Sequence, residues 1–212
     1  LILNGMGQFF YENKIDWTQP DFLKISTERE KQNNKIRFEK KLKNRYLVPL
    51  GGGRDSIVTL EELRKKNRKI NCFLVNPSPA AKKEIEIAGV KNPITVERKI
   101  DPVLLKLNKK GFLNGHTPFT ALLSFLSVFC ATLFDYKNIA FSNEKSSNEG
   151  NIRYLGKMIN HQYSKSSEFE KKFRNYCKRY LAKNVNCFSF LRKYTELEIA
   201  KIFAKYPKYF SV

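Results

Sequence analysis

Short apolar runs alternate along this chain with longer amphipathic ones. Arg45 to Leu50, Ile70 to Val75, Ile94 to Glu97 and Asn138 to Ser142 are brief, apolar or β-branched, and set between turn-rich segments, a pattern that predicts four strands. Behind the first run, apolar spacing resumes at Ile57, Leu60 and Leu63, which predicts a helix. Lys165 to Lys183 sets Phe169, Phe173, Tyr176, Cys177 and Tyr180 near one helical face with lysines opposite, so these aromatics are read as core rather than as a base-stacking platform. Thr195 to Tyr206 predicts a further helix, with Thr195 as its cap and Glu196 and Glu198 in its first turn. The lysine-rich segment Glu28 to Lys43 also reads as helical. Repeated strand–helix alternation implies an α/β fold, a three-layer sandwich around a mainly parallel sheet with helices on both faces.

One stretch disturbs that picture. From Gly111 to Phe134 there is no charged residue, and Thr117 to Phe134 approaches the length of a membrane span. The run also holds His116, Pro118, Thr120, Ser124, Ser127 and Thr132, so it is read as a helix buried between the sheet and neighbouring helices, its hydroxyls bonded to carbonyls one turn back. No membrane span is expected.

Composition adjusts the reading in three ways. The chain has 212 residues with 42% hydrophobic, enough for one substantial core. Residues 1–44 are taken as the end of an upstream region and a connector, and 45–212 as the main domain. A start at Leu1 and an end inside the aromatic stretch Tyr206 to Val212 lead to the expectation of a fragment truncated at its C-terminus. Net charge is +20, from 40 basic and 20 acidic residues, yet the excess is scattered lysine rather than an arginine–aromatic array. A stable nucleic-acid complex is therefore not expected, although the charge leaves transfer RNA open. Cys72, Cys130, Cys177 and Cys187 form no Cys-x-x-Cys pair, which favours free thiols in a reducing cytoplasm over a zinc site.

Candidate chemistry gathers after two of the strands. Gly51-Gly52-Gly53-Arg54-Asp55-Ser56 follows the first, where glycines let backbone approach an anion and the next helix directs its first amides at it. It matches neither the Walker nor the dinucleotide pattern. It resembles the pyrophosphate loop, Ser-Gly-Gly-x-Asp-Ser, of the PP-loop superfamily of ATP-dependent enzymes, with Gly51 in place of the first serine. After the fourth strand come Ser142, Asn143, Glu144, Asn148 and Asn151, then Asn160-His161-Gln162 with Lys165. In a largely parallel sheet, ligands bind beyond the carboxyl ends of strands, so the glycine loop and Ser142-Asn143-Glu144 are expected to face one cleft.

Together with Gly115-His116-Thr117-Pro118 and Phe169-Glu170, these segments resemble the UDP-N-acetylmuramoyl-L-alanyl-L-glutamate epimerase family of PP-loop enzymes in a collinear stretch from about Arg45 to Glu170. The resemblance implies a Rossmann-like, adenine-nucleotide-hydrolase-like sandwich and a cytoplasmic enzyme of peptidoglycan precursor synthesis. It would invert the terminal glutamate of a UDP-linked muramoyl dipeptide, using ATP and Mg2+ and releasing AMP and pyrophosphate. Under that resemblance Gly51, Gly52, Gly53, Arg54, Asp55 and Ser56 hold ATP, with Asp55 also toward magnesium. His116, His161, Glu144 and Lys165 are the catalytic candidates, and Ser142, Asn143, Asn148, Asn160 and Gln162 hold substrate. Two alternatives stay open, a PP-loop enzyme that modifies transfer RNA or a nucleobase, and a nucleotide-binding module without turnover.

Overall fold

The computed structural model describes residues 1–26 and 37–212. Two short helices, α1 (Ile2–Gly5) and α2 (Gly7–Glu12), precede β1 (Tyr46–Pro49), α3 (Arg54–Lys65), β2 (Ile70–Val75), α4 (Pro79–Ile87) and β3 (Ile94–Val96). Then come α5 (Pro102–Lys109), α6 (Phe119–Leu133), β4 (Asn138–Phe141), the pair β5 (Ile152–Tyr154) and β6 (Lys157–Ile159), α7 (Ser167–Tyr176), β7 (Asn186–Ser189) and α8 (Glu196–Phe203). All four expected strands form, within a residue or two of their predicted ends.

The central sheet has the order β3-β2-β1-β4-β7, and each adjacent pair is parallel. Its side chains alternate between two cores, as the two-residue period of a strand requires. Leu47, Phe73, Ile139, Phe141 and Cys187 meet α6 and α7 on one face. On the other, Cys72 and Leu74 meet Ile57 and Leu60 of α3 and Ile85 of α4, while Val48 and Ala140 meet Leu63. The three-layer α/β sandwich is the one expected. Chain order reverses between β1, whose next strand lies to one side, and β4 on the other, so a crevice opens at the carboxyl ends of β1 and β4.

Local chemistry sets the helix starts. Ser78 caps α4 by accepting from Ala81 N at 3.1 Å, with Pro79 at the first helical position. Thr195 caps α8 in a full capping box with Glu198, as its spacing predicted. Ser124 Oγ donates to Thr120 O at 2.8 Å and Ser127 Oγ to Leu123 O at 2.7 Å, the back-bonding expected of the uncharged stretch. Among the described residues no helix is long and apolar enough to cross a membrane.

Four expectations need correction. The uncharged helix α6 is not buried all round; Ala121, Ser124, Val128 and Ala131 face the core, but Phe125, Phe129 and Leu133 are exposed. In α7 only Phe169, Phe173 and the following Cys177 are buried; Tyr176 is exposed because it lies at the edge of that stripe, beside the buried Cys177, and Tyr180 is exposed within the π turn at Cys177–Leu181, which breaks the helical period. Residues 27–36 of the expected Glu28 to Lys43 helix lie outside the described residues, and 37–43 are not helical, Phe38 forming a parallel bridge to Ala182 instead. Strand β7 and the β5–β6 hairpin are additional to the elements read from sequence. Residues 1–26 pack onto that hairpin, where Phe10, Trp17 and Ile159 form a small core. All four cysteines are free and buried.

Candidate active site

The glycine loop occupies the turn from β1 into α3. Gly52 has φ +86°, in the left-handed region, and a Cβ there would lie 2.8 Å from Ser78 Oγ and 3.0 Å from Ala81 N. Helix α4 thus backs the loop. At Gly51 and Gly53 a Cβ would meet nothing within 4 Å, so the loop's other side is open to the cleft. Gly53 enters α3 in an extended conformation and makes no side-chain cap, which leaves the helix's positive end facing that space. Ser56 Oγ donates to Gly53 O at 2.8 Å and tightens the turn.

The cleft beside this loop holds about 590 Å³, within the ~300–1,000 Å³ usual for ligand sites. Gly51 through Ser56 form one wall, Ser142, Asn143 and Glu144 another, and Gln162 with Lys165 a third. The expectation that the segments after β1 and β4 share a cleft therefore holds. Ser142 Oγ is buried without a hydrogen-bond partner among the described residues. Asn143 is held from behind, its Nδ2 donating to Ser189 Oγ at 3.0 Å. Glu144 is buried and its carboxylate accepts from Ser146 N and from Ser146 Oγ. Burial pushes the Asp55 carboxyl above its ordinary range; Arg54, 3.3 Å away, works against the rise, Glu144 adds to it and Lys165 offsets it. Two carboxylates and a lysine that sense one another in a cleft can bind a cation or exchange a proton.

The remaining expected residues lie elsewhere. His116 and His161 come together, ring centroids 6.1 Å apart at 77°, but neither lines the cleft. His116 N donates to Glu12 Oε2 at 3.4 Å and His161 N to Asn151 Oδ1 at 2.9 Å. His161 nevertheless directly precedes Gln162, which does line it. Asn148 and Asn160 face a separate pocket of about 360 Å³ that also includes Trp17 and Tyr163. Their amides are engaged in loop structure: Asn148 Oδ1 accepts from Ser167 N and Oγ, both at 2.7 Å, and Asn160 Nδ2 donates to Ser147 O at 2.8 Å.

Comparison with known proteins identifies the family of the chain. A family model described as the MurL N-terminal domain matches residues 1–190. The chain belongs to that family. Among curated relatives, the UDP-N-acetyl-alpha-D-muramoyl-L-alanyl-L-glutamate epimerase of a Micromonospora species is 35% identical over 97% of this chain and 45% of its own length. The proteins of the same name from Salinispora tropica and Xanthomonas oryzae are 38% and 32% identical, over 78% and 98% of this chain and 36% and 45% of their own lengths. The chain thus spans less than half the length of the curated relatives it matches. A solved structure described as a predicted subunit of tRNA methyltransferase from Methanocaldococcus jannaschii aligns with a TM-score of 0.44 and 13% identity, over 76% of this chain and 74% of the other.

The site of this family member also depends on Arg192, a residue its sequence did not single out. Arg192 Nη1 donates to Glu144 O and Ser147 Oγ, both at 2.9 Å, and Nη2 to Lys165 O at 2.7 Å, Glu170 Oε2 at 3.0 Å and Ser189 Oγ at 3.1 Å. One guanidinium therefore joins the Glu144 loop, the Lys165 turn and the end of β7, using the planar fork that arginine alone offers. Thr120 and Leu123 of α6 and Glu196 of α8 complete the cleft. The signal for Arg192 is tertiary, since its partners lie 3 to 48 residues away in sequence. The signal for Glu196 was legible only as a helix-start acid.

Proposed function

We propose that this chain carries the ATP-activating site of an enzyme that inverts the terminal L-glutamate of UDP-N-acetylmuramoyl-L-alanyl-L-glutamate to D-glutamate. The observation that supports this most directly is one cleft lined by an open glycine loop, an uncapped helix start and the Asp55, Glu144 and Lys165 side chains, in a chain of the MurL N-terminal domain family. Its curated relatives carry the corresponding epimerase name.

The residues fit a nucleotide triphosphate. Open space at Gly51 and Gly53, amides at the start of α3 and the unpartnered Ser142 hydroxyl offer donors to phosphate oxygens. Asp55 suits magnesium, which reaches protein through few carboxylates and otherwise keeps water or phosphate ligands. Burial raises its pKa, and a bound cation would act against that rise by favouring the ionised form. ATP would supply adenylation of the glutamate carboxylate, which turns a group unable to bear a second negative charge into one that stabilises an enolate.

The chain's own side chains then divide the work. Lys165, on the cleft wall, neutralises phosphate or enolate charge. Asn143 and Gln162 orient the substrate, Asn143 being pre-set by Ser189. Inversion needs proton transfer on both faces of the α-carbon. His116 and His161, paired in a T-shaped contact next to Gln162 and outside the cleft lining, are assigned jointly to one face and Glu144 to the other, which requires the α-carbon to lie at the Gln162 end of the cleft. Asn148 and Asn160 act on substrate only through the loops they hold.

The test is incubation of a full-length family member containing this sequence with ATP, magnesium and UDP-N-acetylmuramoyl-L-Ala-L-Glu, followed by chiral analysis of glutamate and assay of AMP. The expected products are D-glutamate and AMP. Formation of neither would refute the proposal. Loss of α-proton exchange in deuterated water in His116→Ala or His161→Ala would support the acid–base assignment, and exchange at the unaltered rate in both would overturn it.

A further inference from the structure

Helix α6 has two unlike faces. Thr120 and Leu123 line the cleft, and Ala121, Val128 and Ala131 face the core. The outer stripe Leu122, Phe125, Phe129 and Leu133 follows the three- and four-residue spacing of one helical face and is 38% to 62% exposed. Preceding it, α5 has no buried residue at all, and Val103, Leu104 and Leu105 are each at least half exposed. Phe112 and Leu113, in the segment between α5 and α6, are 60% and 61% exposed. Arg98 lies 5.5 Å over the Phe119 ring, which joins the approach to α5 with the start of α6.

These side chains expose on the order of 1,000 Å² of apolar surface, taking roughly half of the ~150–250 Å² of each aromatic and somewhat less for each aliphatic. Single proteins rarely leave contiguous apolar patches beyond a few hundred Å². About 800 Å² per partner is a standard stable interface. No charge stands between Gly111 and Phe134, whereas α5 carries Lys106 and Lys109, so the complementary surface is apolar opposite α6 and apolar with acidic groups opposite α5. The family supplies a candidate for that surface, because the Micromonospora relative carries more than half of its length outside the part this chain matches.

We propose that the α5–α6 face is the seat on which the remaining polypeptide of a full-length family member docks. The partner then packs on the back of the helix whose inner face lines the cleft, so docking fixes Thr120 and Leu123 in place. This inference rests on family membership and exposure, not on the ATP-dependent reaction, and its test involves no turnover.

Residues 1–212 are co-expressed with the tagged remainder of the Micromonospora protein, and single thiols are introduced as Phe129→Cys, Leu133→Cys and, as an exposed control away from α5 and α6, Lys91→Cys. The native cysteines are all buried, so alkylation reports the introduced thiol. The expected result is one-to-one co-purification, at least tenfold slower alkylation at 129 and 133 than in the chain alone, and an unchanged rate at 91. Phe129→Asp with Leu133→Asp should abolish co-purification while leaving the thermal transition of the chain in place. Co-purification with undiminished alkylation at 129 and 133 overturns the proposal, as does absence of co-purification. Protection of both positions in a dimer of residues 1–212 alone would also overturn it, by making a second copy the occupant.

Discussion

The glycine loop makes opposite predictions at neighbouring positions. At Gly52, alanine would have to hold φ +86°, which costs an L-residue about 1–2 kcal/mol. Its Cβ would also stand 2.8 Å from Ser78 Oγ and 3.0 Å from Ala81 N. Backbone nitrogen cannot rotate away, so α4 or the loop must shift, an overpacking cost of about 1–3 kcal/mol. If Ser78 moves, α4 also loses its cap, about 1 kcal/mol more. Gly52→Ala should therefore lose roughly 3 kcal/mol, lowering Tm by about 6–12 °C for a domain of this size. At Gly51 a Cβ meets nothing within 4 Å, and Gly51→Ser should leave stability within about 0.5 kcal/mol. It should also restore the hydroxyl of the Ser-Gly-Gly-x-Asp-Ser pattern and tighten nucleotide binding about tenfold, since hydrogen bonds to charged groups contribute about 1.5–3 kcal/mol. Differential scanning fluorimetry and ATP titration calorimetry in magnesium read both effects. A Gly52→Ala protein as stable as the parent, or a Gly51→Ser protein that unfolds with it, would refute the assignment of which side of the loop is backed and which is open.

Glu84 of α4 is 5% exposed, its Oε2 has no partner among the described residues, and burial raises its pKa from 4.5 to about 7. The folded state then holds a proton that the unfolded state releases between about pH 4.5 and 7, so stability should fall as pH rises through that window. The full penalty above it is on the order of 3 kcal/mol, at about 1.4 kcal/mol per tenfold, and Glu84→Gln should flatten urea-unfolding stability against pH and gain most of that amount at pH 8. An unchanged pH slope in the variant would exclude Glu84 as its source. Arg192→Gln should cost about 3–5 kcal/mol by leaving the partly buried Glu170 without its cation and the Glu144 and Lys165 carbonyls without their donor, whereas Arg192→Met combined with Glu170→Met should recover only the part due to the unpaired Glu170 charge. Equal destabilisation in the single and double variants, measured by the same unfolding, would show that the unpaired Glu170 charge contributes nothing to the loss.

Much of the fold was written in local pattern. Ile70–Val75 forms a strand between its predicted ends because a parallel strand with a buried centre, here Cys72 to Leu74, reads as a short apolar run. Strand β7 escaped because Asn186-Cys187-Phe188-Ser189 is short and mixed, and its pairing with β4 is across 48 residues. The β5–β6 hairpin turns through Leu155 at φ 47° and Gly156 at φ 75°, and leucine is a residue that rarely signals such a turn. The outward face of α6 escaped for another reason: hydropathy reports that a surface avoids water, not which partner covers it. At the site, the segments following β1 and β4 could be assigned to one crevice from topology alone. The division of Asn143 and Gln162 into the cleft, against Asn148 and Asn160 behind it, depends on how residues 142–168 fold back on Arg192, which no local spacing encodes.

The charge of the chain and the charge of its cleft point in different directions. Overall the protein carries +20, yet the ionisable cleft residues are Arg54 and Lys165 against Asp55, Glu144 and Glu196, a formal excess of one negative charge. The surface lysines therefore draw anions toward the molecule through a field that salt screens within about 10 Å at 0.1 M, but they do not line the place where phosphates would rest. A triphosphate entering that cleft meets the positive end of α3 and backbone amides, then two nearby carboxylates that repel it. A divalent cation held by Asp55 would offset that repulsion and would favour the ionised form of a carboxyl whose pKa burial raises. The magnesium dependence proposed for this site thus rests on the local charge balance of the cleft and not on the exposed lysines, and neutralising lysines outside the cleft should leave it unaltered.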